Sequence, residues 1–209
     1  MPDLPSRSKH EADILALLIP AFEAERKRYL DSGKFDQRSM ARGVRVAVED
    51  RLVDVFTAAV RQLAGQQGWE LDTARLSVEA RVWATRRAVD LGNEVAANTN
   101  AFLRDTSDLS SIDSLFGEGR AEGMAITEVT SAISAGETWL AIWASTAILG
   151  SDREIIVSWH TEHDARVCEL CGPLDGRPRE QWQMAFPGGP PAHPRCRCWL
   201  EYDTVPKAA

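Results

Sequence analysis

Apolar residues return every three or four positions over most of the first 150 residues, the period of helices that each bury one face. Ile14, Leu17, Leu18, Ala21 and Phe22 predict a helix over about 9–30, with Pro20 inside it as a point of kinking. Asp31, Ser32 and Gly33 are turn formers. Met40, Val44, Val48, Leu52, Val55, Phe56, Ala59 and Leu63 then mark a second long helix, closed by Gly65 and Gly68. A third starts near Asp72 and carries Leu76, Trp83, Leu91 and Val95 towards Phe102, with alanines between them that let neighbouring helices approach. The run 105–111 is polar and rich in capping residue types, which predicts a break and a new helix start near Ser111. A last helical stretch covers about 120–148, with Ala121, Met124, Ala125, Val129, Ile133, Trp139, Ile142 and Trp143 as its apolar positions.

The pattern changes at Gly150 and Ser151. Residues 154–159 form the first β-branched segment, and glycine and proline become frequent after Gly172. A second strand is expected over 197–202, placing Cys198 and Leu200 on one face and Trp199 and Glu201 on the other. The expected fold is mainly α: a mobile start over 1–8, an elongated helical body over 9–149, a small C-terminal α+β module over 150–203 and a tail over 204–209.

Charge narrows the partners. Asp and Glu outnumber Lys and Arg by 31 to 24, and the excess is spread along the chain, so no general attraction to phosphate backbones or anionic membranes is expected. No run approaches the ~18–20 apolar residues of a membrane span, and the first residues lack the pattern of a signal peptide, so the expectation is a soluble chain without a membrane partner.

All four cysteines lie in the C-terminal module: Cys168 and Cys171, then Cys196 and Cys198, with His193 three residues ahead of Cys196. A Cys-x-x-Cys turn presents two thiolates to one point, and Cys-x-Cys on an extended segment adds two on one face. Four such donors suit one structural zinc ion, which stabilises small modules by on the order of 10 kcal/mol. His193 is an alternative ligand. The plainer readings are reduced cysteines in a small core, or a disulfide between two of them. His160, His163 and Asp164 follow the first predicted strand without the spacing of a helical zinc-protease motif, and Asp164 is placed to cap the turn that carries Val167 and Cys168. The chain has no Gly-rich phosphate loop and no nucleophile elbow, and the expectation is a protein without catalysis.

The run Trp159-His160-Thr161, Asp164-Ala165-Arg166-Val167-Cys168, Cys171, Leu174-Asp175-Gly176 and Pro190-Pro191-Ala192-His193-Pro194-Arg195-Cys196-Arg197-Cys198 resembles the C-terminal signature of bacteriophage minor head proteins, the Mu F-like family of head morphogenesis proteins. The segment from Arg120 to Thr130 resembles the Ala-Arg-Thr-Glu helix that precedes that signature, with Ile126 where the family has arginine. The resemblance implies a structural virion component acting in capsid assembly and in DNA packaging or release. It further implies portal or capsid proteins as partners, and a location in the phage head interior or at the portal vertex, with host cytoplasm as the place of assembly. It also implies few copies per capsid; the exact number and any self-association are left open.

Two other classes compete. A zinc-dependent nuclease or toxin-like effector would gather His160, His163 and His193 around the metal and leave one coordination position open. A zinc-ribbon nucleic-acid binder would use Arg166, Arg177, Arg179, Arg195 and Arg197, although residues 151–209 hold nine acidic against seven basic side chains. Of the tryptophans, Trp83, Trp139 and Trp143 read as core or interface, Trp159 and Trp199 as packing over the metal module, and Trp182, beside Phe186, as the exposed partner-contact candidate.

Overall fold

The structure, a computed structural model, describes residues 4, 6–105, 108–164 and 167–207. Among these, four long helices carry the body: α1 (Arg7–Ser32), α2 (Gln37–Gln67), α3 (Thr73–Asp105) and α5 (Glu118–Ala147), with the short α4 (Leu109–Leu115) between the last two. At 1.5 Å per residue the long ones span roughly 40–50 Å. Local chemistry sets their ends. Asp36 caps α2 by accepting from the Ser39 N–H, Asp108 caps α4 by accepting from the Ser111 N–H, and left-handed Gly33 and Gly68 terminate α1 and α2. The break expected over 105–111 is there, although Thr106 and Ser107 lie outside the described residues.

The helices pack closely because their contact ridges are nearly bare. Along α3, Leu76, Ala80, Ala84, Ala88, Gly92 and Ala96 recur at every fourth position and are all buried. A Cβ on Gly92 would lie 2.4 Å from the Ala41 carbonyl oxygen of α2, and one on Gly136 of α5 would lie 2.8 Å from the Phe56 carbonyl oxygen. Arg87 of α3 ties this interface to α5 through a two-pronged ion pair with buried Glu128, at 2.7 and 2.5 Å.

After α5 the chain forms β1 (Arg153–His160), the two-residue β2 (Arg177–Pro178), α6 (Arg179–Trp182) and β3 (Trp199–Pro206), in an antiparallel sheet of order β2-β1-β3. Trp159 pairs with Leu200 and Val157 with Tyr202, so one face of the sheet presents all four. That face packs on the helices: Phe56, Val60 and Leu63 of α2, Leu76 of α3 and Leu140 of α5 share a single buried cluster with Trp159, Leu200, Tyr202, Cys171, Cys196 and Cys198. Gln67, the last residue of α2, donates to the Tyr202 carbonyl and accepts from the Thr204 hydroxyl.

Several sequence expectations need correction. Arg7 and Ser8 belong to α1 and Leu4 is buried, so of the start expected to be mobile the described part is packed; residues 1–3 and 5 lie outside it. Residues 204–206 of the expected tail are strand, paired to Arg153, Glu154 and Ile155, while 208–209 are outside the described residues. Trp182 is buried, its ring edge-on to Trp159 at 5.5 Å, because α6 turns it under the sheet. Leu17 and Ile142 share the helical period but lie off the buried ridges and are exposed, and Phe102 is exposed near the end of α3. The sequence reading missed α6 and β2, which are too short for any period to show.

The glycine contacts generate a test. Gly92→Ala adds ~1 kcal/mol of helix propensity but forces α2 and α3 apart at a cost of about 1–3 kcal/mol, the upper end being expected at so short a contact with backbone. A net loss of about 1–2 kcal/mol should appear as a lower urea midpoint with unchanged slope.

Candidate metal centre

The two cysteine pairs are delivered by different local devices. Residues 168–171 form a turn in which Cys171 N–H and Gly172 N–H both donate to the Cys168 carbonyl, at 3.1 and 3.0 Å. The Cys171 N–H also donates to the Cys168 Sγ at 3.4 Å. A 3₁₀ turn over Gly172–Leu174 follows and carries the chain away. On the other side Cys196 N–H donates to the His193 carbonyl at 3.2 Å, and Cys198 is buried immediately before β3.

These devices bring all five sequence candidates together. Cys168, Cys171 and His193 present donor atoms within 4.8 Å of one another, as do Cys171, Cys196 and Cys198, with Cys171 common to both groups. The Cys171 and Cys196 sulfurs are 3.8 Å apart, close to the ~3.8 Å edge of a tetrahedron with metal–sulfur bonds of ~2.3 Å. His193 Nε2 is 2.9 Å from Cys168 Sγ and 3.2 Å from Cys171 Sγ. Its Nδ1 lies 2.8 Å from the Pro194 carbonyl, which can only accept; the ring proton therefore belongs on Nδ1, and the Nε2 lone pair faces the sulfurs. The cavity at the cluster measures about 20 Å³, enough for a water-sized sphere or a single ion. The cluster could hold one metal ion.

The thiols are electrostatically coupled. Hydrogen bonding from Cys198 holds Cys196 down at about 5 against the opposing effect of burial, while burial and the negative Cys196 push Cys171 up to about 12. Cys198 is raised as the donor to Cys196. Sulfurs packed this closely would be stabilised by a soft cation that displaces their protons.

His160 and His163 do not join the metal groups; among the described residues His193 is the histidine that does. His160 ends β1, stacks on Trp199 at 5.9 Å and places Nε2 3.0 Å from Glu201. His163 has a left-handed backbone and faces Asp175 at 3.4 Å. Asp175 also accepts from the Thr161 N–H. The Asp164 carbonyl accepts from Val167 N–H, as a turn requires, and its carboxylate reaches across to Arg197 at 2.5 Å.

The support for the site comes from residues the sequence reading did not single out for it. Thr130 of α5 donates to the Cys196 carbonyl at 2.6 Å. Arg7, buried in the first turn of α1, donates to Thr130 Oγ1 at 2.6 Å and to the Arg197 and Cys196 carbonyls at 3.3 and 3.5 Å. Arg195 is held with φ +62°, its N–H on the Thr127 hydroxyl and its guanidinium on the Gly119 carbonyl and on Glu122. Gly123 makes room for that side chain, since a Cβ there would lie 3.2 Å from Arg195 Nε. Nothing in the local sequence marks Arg7, which lies 189 residues from Cys196.

Comparison of the chain with protein-family models, with curated proteins and with solved structures gives no match.

Removing the Arg7 guanidinium takes a donor from the Thr130 hydroxyl and the Arg197 carbonyl, leaving Thr130 as the donor to the Cys196 carbonyl, at about 1–3 kcal/mol. In Arg7→Ala, amide exchange should accelerate together in the first turn of α1 and in residues 193–199. Fraying of α1 alone, with the cysteine segment unchanged, would show that Arg7 does not hold that segment.

Proposed function

We propose that the chain is a minor head protein of a tailed phage or prophage. In this reading it is a structural component that binds portal or capsid protein during head assembly, and that supports DNA packaging or release rather than catalysing a reaction. The observation that carries the reading is the meeting of the two segments on which the family resemblance rests. The residues that touch lie more than 60 positions apart: Gly119, Glu122, Gly123, Thr127 and Thr130 of α5 form the bed on which Arg195 and Cys196 are seated. Two motifs that serve one interface are expected to be retained together, whereas a chance likeness has no reason to converge.

The ion we assign is zinc, held by four of the five donors, because thiolate and imidazole ligands in a closed tetrahedral cluster suit it best. Its role is to fix the loops between β1 and β3. The sheet itself rests on the helical core through Trp159, Leu200 and Tyr202.

The competing classes draw less support. The open-site hydrolase reading needs His160 and His163 near the metal, and both pair elsewhere with carboxylates. The nucleic-acid reading needs a bare basic face. Arg195 and Arg197 are engaged by Glu122 and Asp164; Arg177 donates to the Pro173 carbonyl and keeps its charge, Arg179 lies in α6, and Arg166 lies outside the described residues.

Two measurements test the proposal. Native mass spectrometry under reducing conditions should find one zinc per chain, removable by a strong chelator. Cys196→Ser should lose that zinc and gain amide exchange over residues 161–198 while β1 and β3 stay protected; a metal-free chain with unchanged protection would remove the zinc assignment. For the function, quantitative mass spectrometry of phage heads purified from the host that carries the gene should find the chain at a few copies per particle. Its presence in the lysate and absence from heads would overturn the head-protein reading.

A further inference from the structure

Where the N-terminal half of α5 crosses α3, a cleft of about 430 Å³ opens beside the seat of Arg195. Three arginines from three parts of the chain line it, and two have carboxylate partners: Arg87 holds Glu128, and Arg195 holds Glu122. Arg120 differs. Among the described residues its hydrogen bonds go only to neutral acceptors, the Thr99 hydroxyl at 2.8 Å and the Leu115 and Val95 carbonyls at 2.8 and 3.4 Å, and its guanidinium lies over the Phe22 ring at 5.6 Å. Burial without a counter-charge pulls this guanidinium down from its usual range. A largely buried cation normally has an anionic partner, because desolvating it alone costs several kcal/mol.

We propose that this cleft binds a carboxylate carried on an apolar body, with Arg120 as the anchoring cation. The wall chemistry selects within the anions. Glu94 and Glu128 also line the cleft and repel a phosphate dianion more than a single carboxylate. Leu91, Val95 and Met124 supply an apolar wall for a hydrocarbon chain. Two of the three hydrogens on Arg120 Nε and Nη2 are not used by the bonds above, enough for a forked contact with one carboxylate. The rim is held by Arg195, whose left-handed backbone is a strained conformation retained beside the opening. The inference is independent of the metal and of the head-protein reading.

The test follows the Met124 methyl resonance of the full chain during titration with hexanoate, acetate, hexanol and inorganic phosphate at constant ionic strength. Hexanoate should shift it saturably, acetate more weakly, and hexanol and phosphate not at all. Arg120→Gln should weaken hexanoate at least tenfold, the loss of one charge-assisted contact. Should that variant unfold, the Arg120 Nε–H resonance of the unaltered protein decides, since bound hexanoate must move it. Equal binding of hexanol would make the cleft merely apolar, and preferential binding of phosphate would make it a phosphate site; either overturns the proposal. So does the lack of any shift up to ~10 mM hexanoate, a concentration that would nearly saturate a site with a Kd of ~1 mM.

Discussion

The C-terminal sheet has no private core, and most of the architecture follows from that constraint. A segment of about sixty residues, rich in glycine and proline, cannot bury enough apolar surface by itself. Here it borrows: Trp159, Leu200 and Tyr202 complete a cluster begun by Phe56, Leu63 and Leu140 on the long helices. The helices can lend that surface because their own contacts consume little of it. Alanine and glycine ridges on α3 and α5 bring backbones together and leave larger side chains for the sheet.

The cysteine cluster then has two supports of different kind. From below, the shared core fixes the strands at either end of it. From the side, Thr130 and Arg7 bind the carbonyls of Cys196 and Arg197, so the first turn of the chain and the middle of α5 both bear on one ligand segment. Hydrogen bonds in such a buried place are costly to leave half-made, which couples three distant stretches of chain to one short loop. An ion bound there is positioned by the whole helical body.

Charge is organised by the same economy. Buried Glu128 is matched by Arg87, Arg195 by Glu122 of α5 and Arg197 by Asp164, so both arginines of the cysteine segment have carboxylate partners. Arg120 stands outside this pattern, and its cleft lies against the loop that carries His193 and Cys196.

The sequence by itself determined the four long helices, the change to strand after Gly150 and the gathering of cysteines, because period, capping residues and ligand spacing are local properties that a chain displays in order. Met40 to Leu63 on α2, and Ala121, Ala125, Val129 and Ile133 on α5, read as buried faces and are buried, while Met124 between them is only half-buried. Tertiary structure alone decided which apolar residues escape the core: Leu17 and Ile142 keep the helical period but miss the ridges that neighbours cover, and Trp182, read as exposed, is turned inward by a four-residue helix. It alone also brought His193 into the cluster, left His160 and His163 outside it, and recruited Arg7 and Thr130 as supports. Those outcomes depend on contacts between residues up to 190 positions apart, which are set by how whole helices pack and have no counterpart in any local pattern.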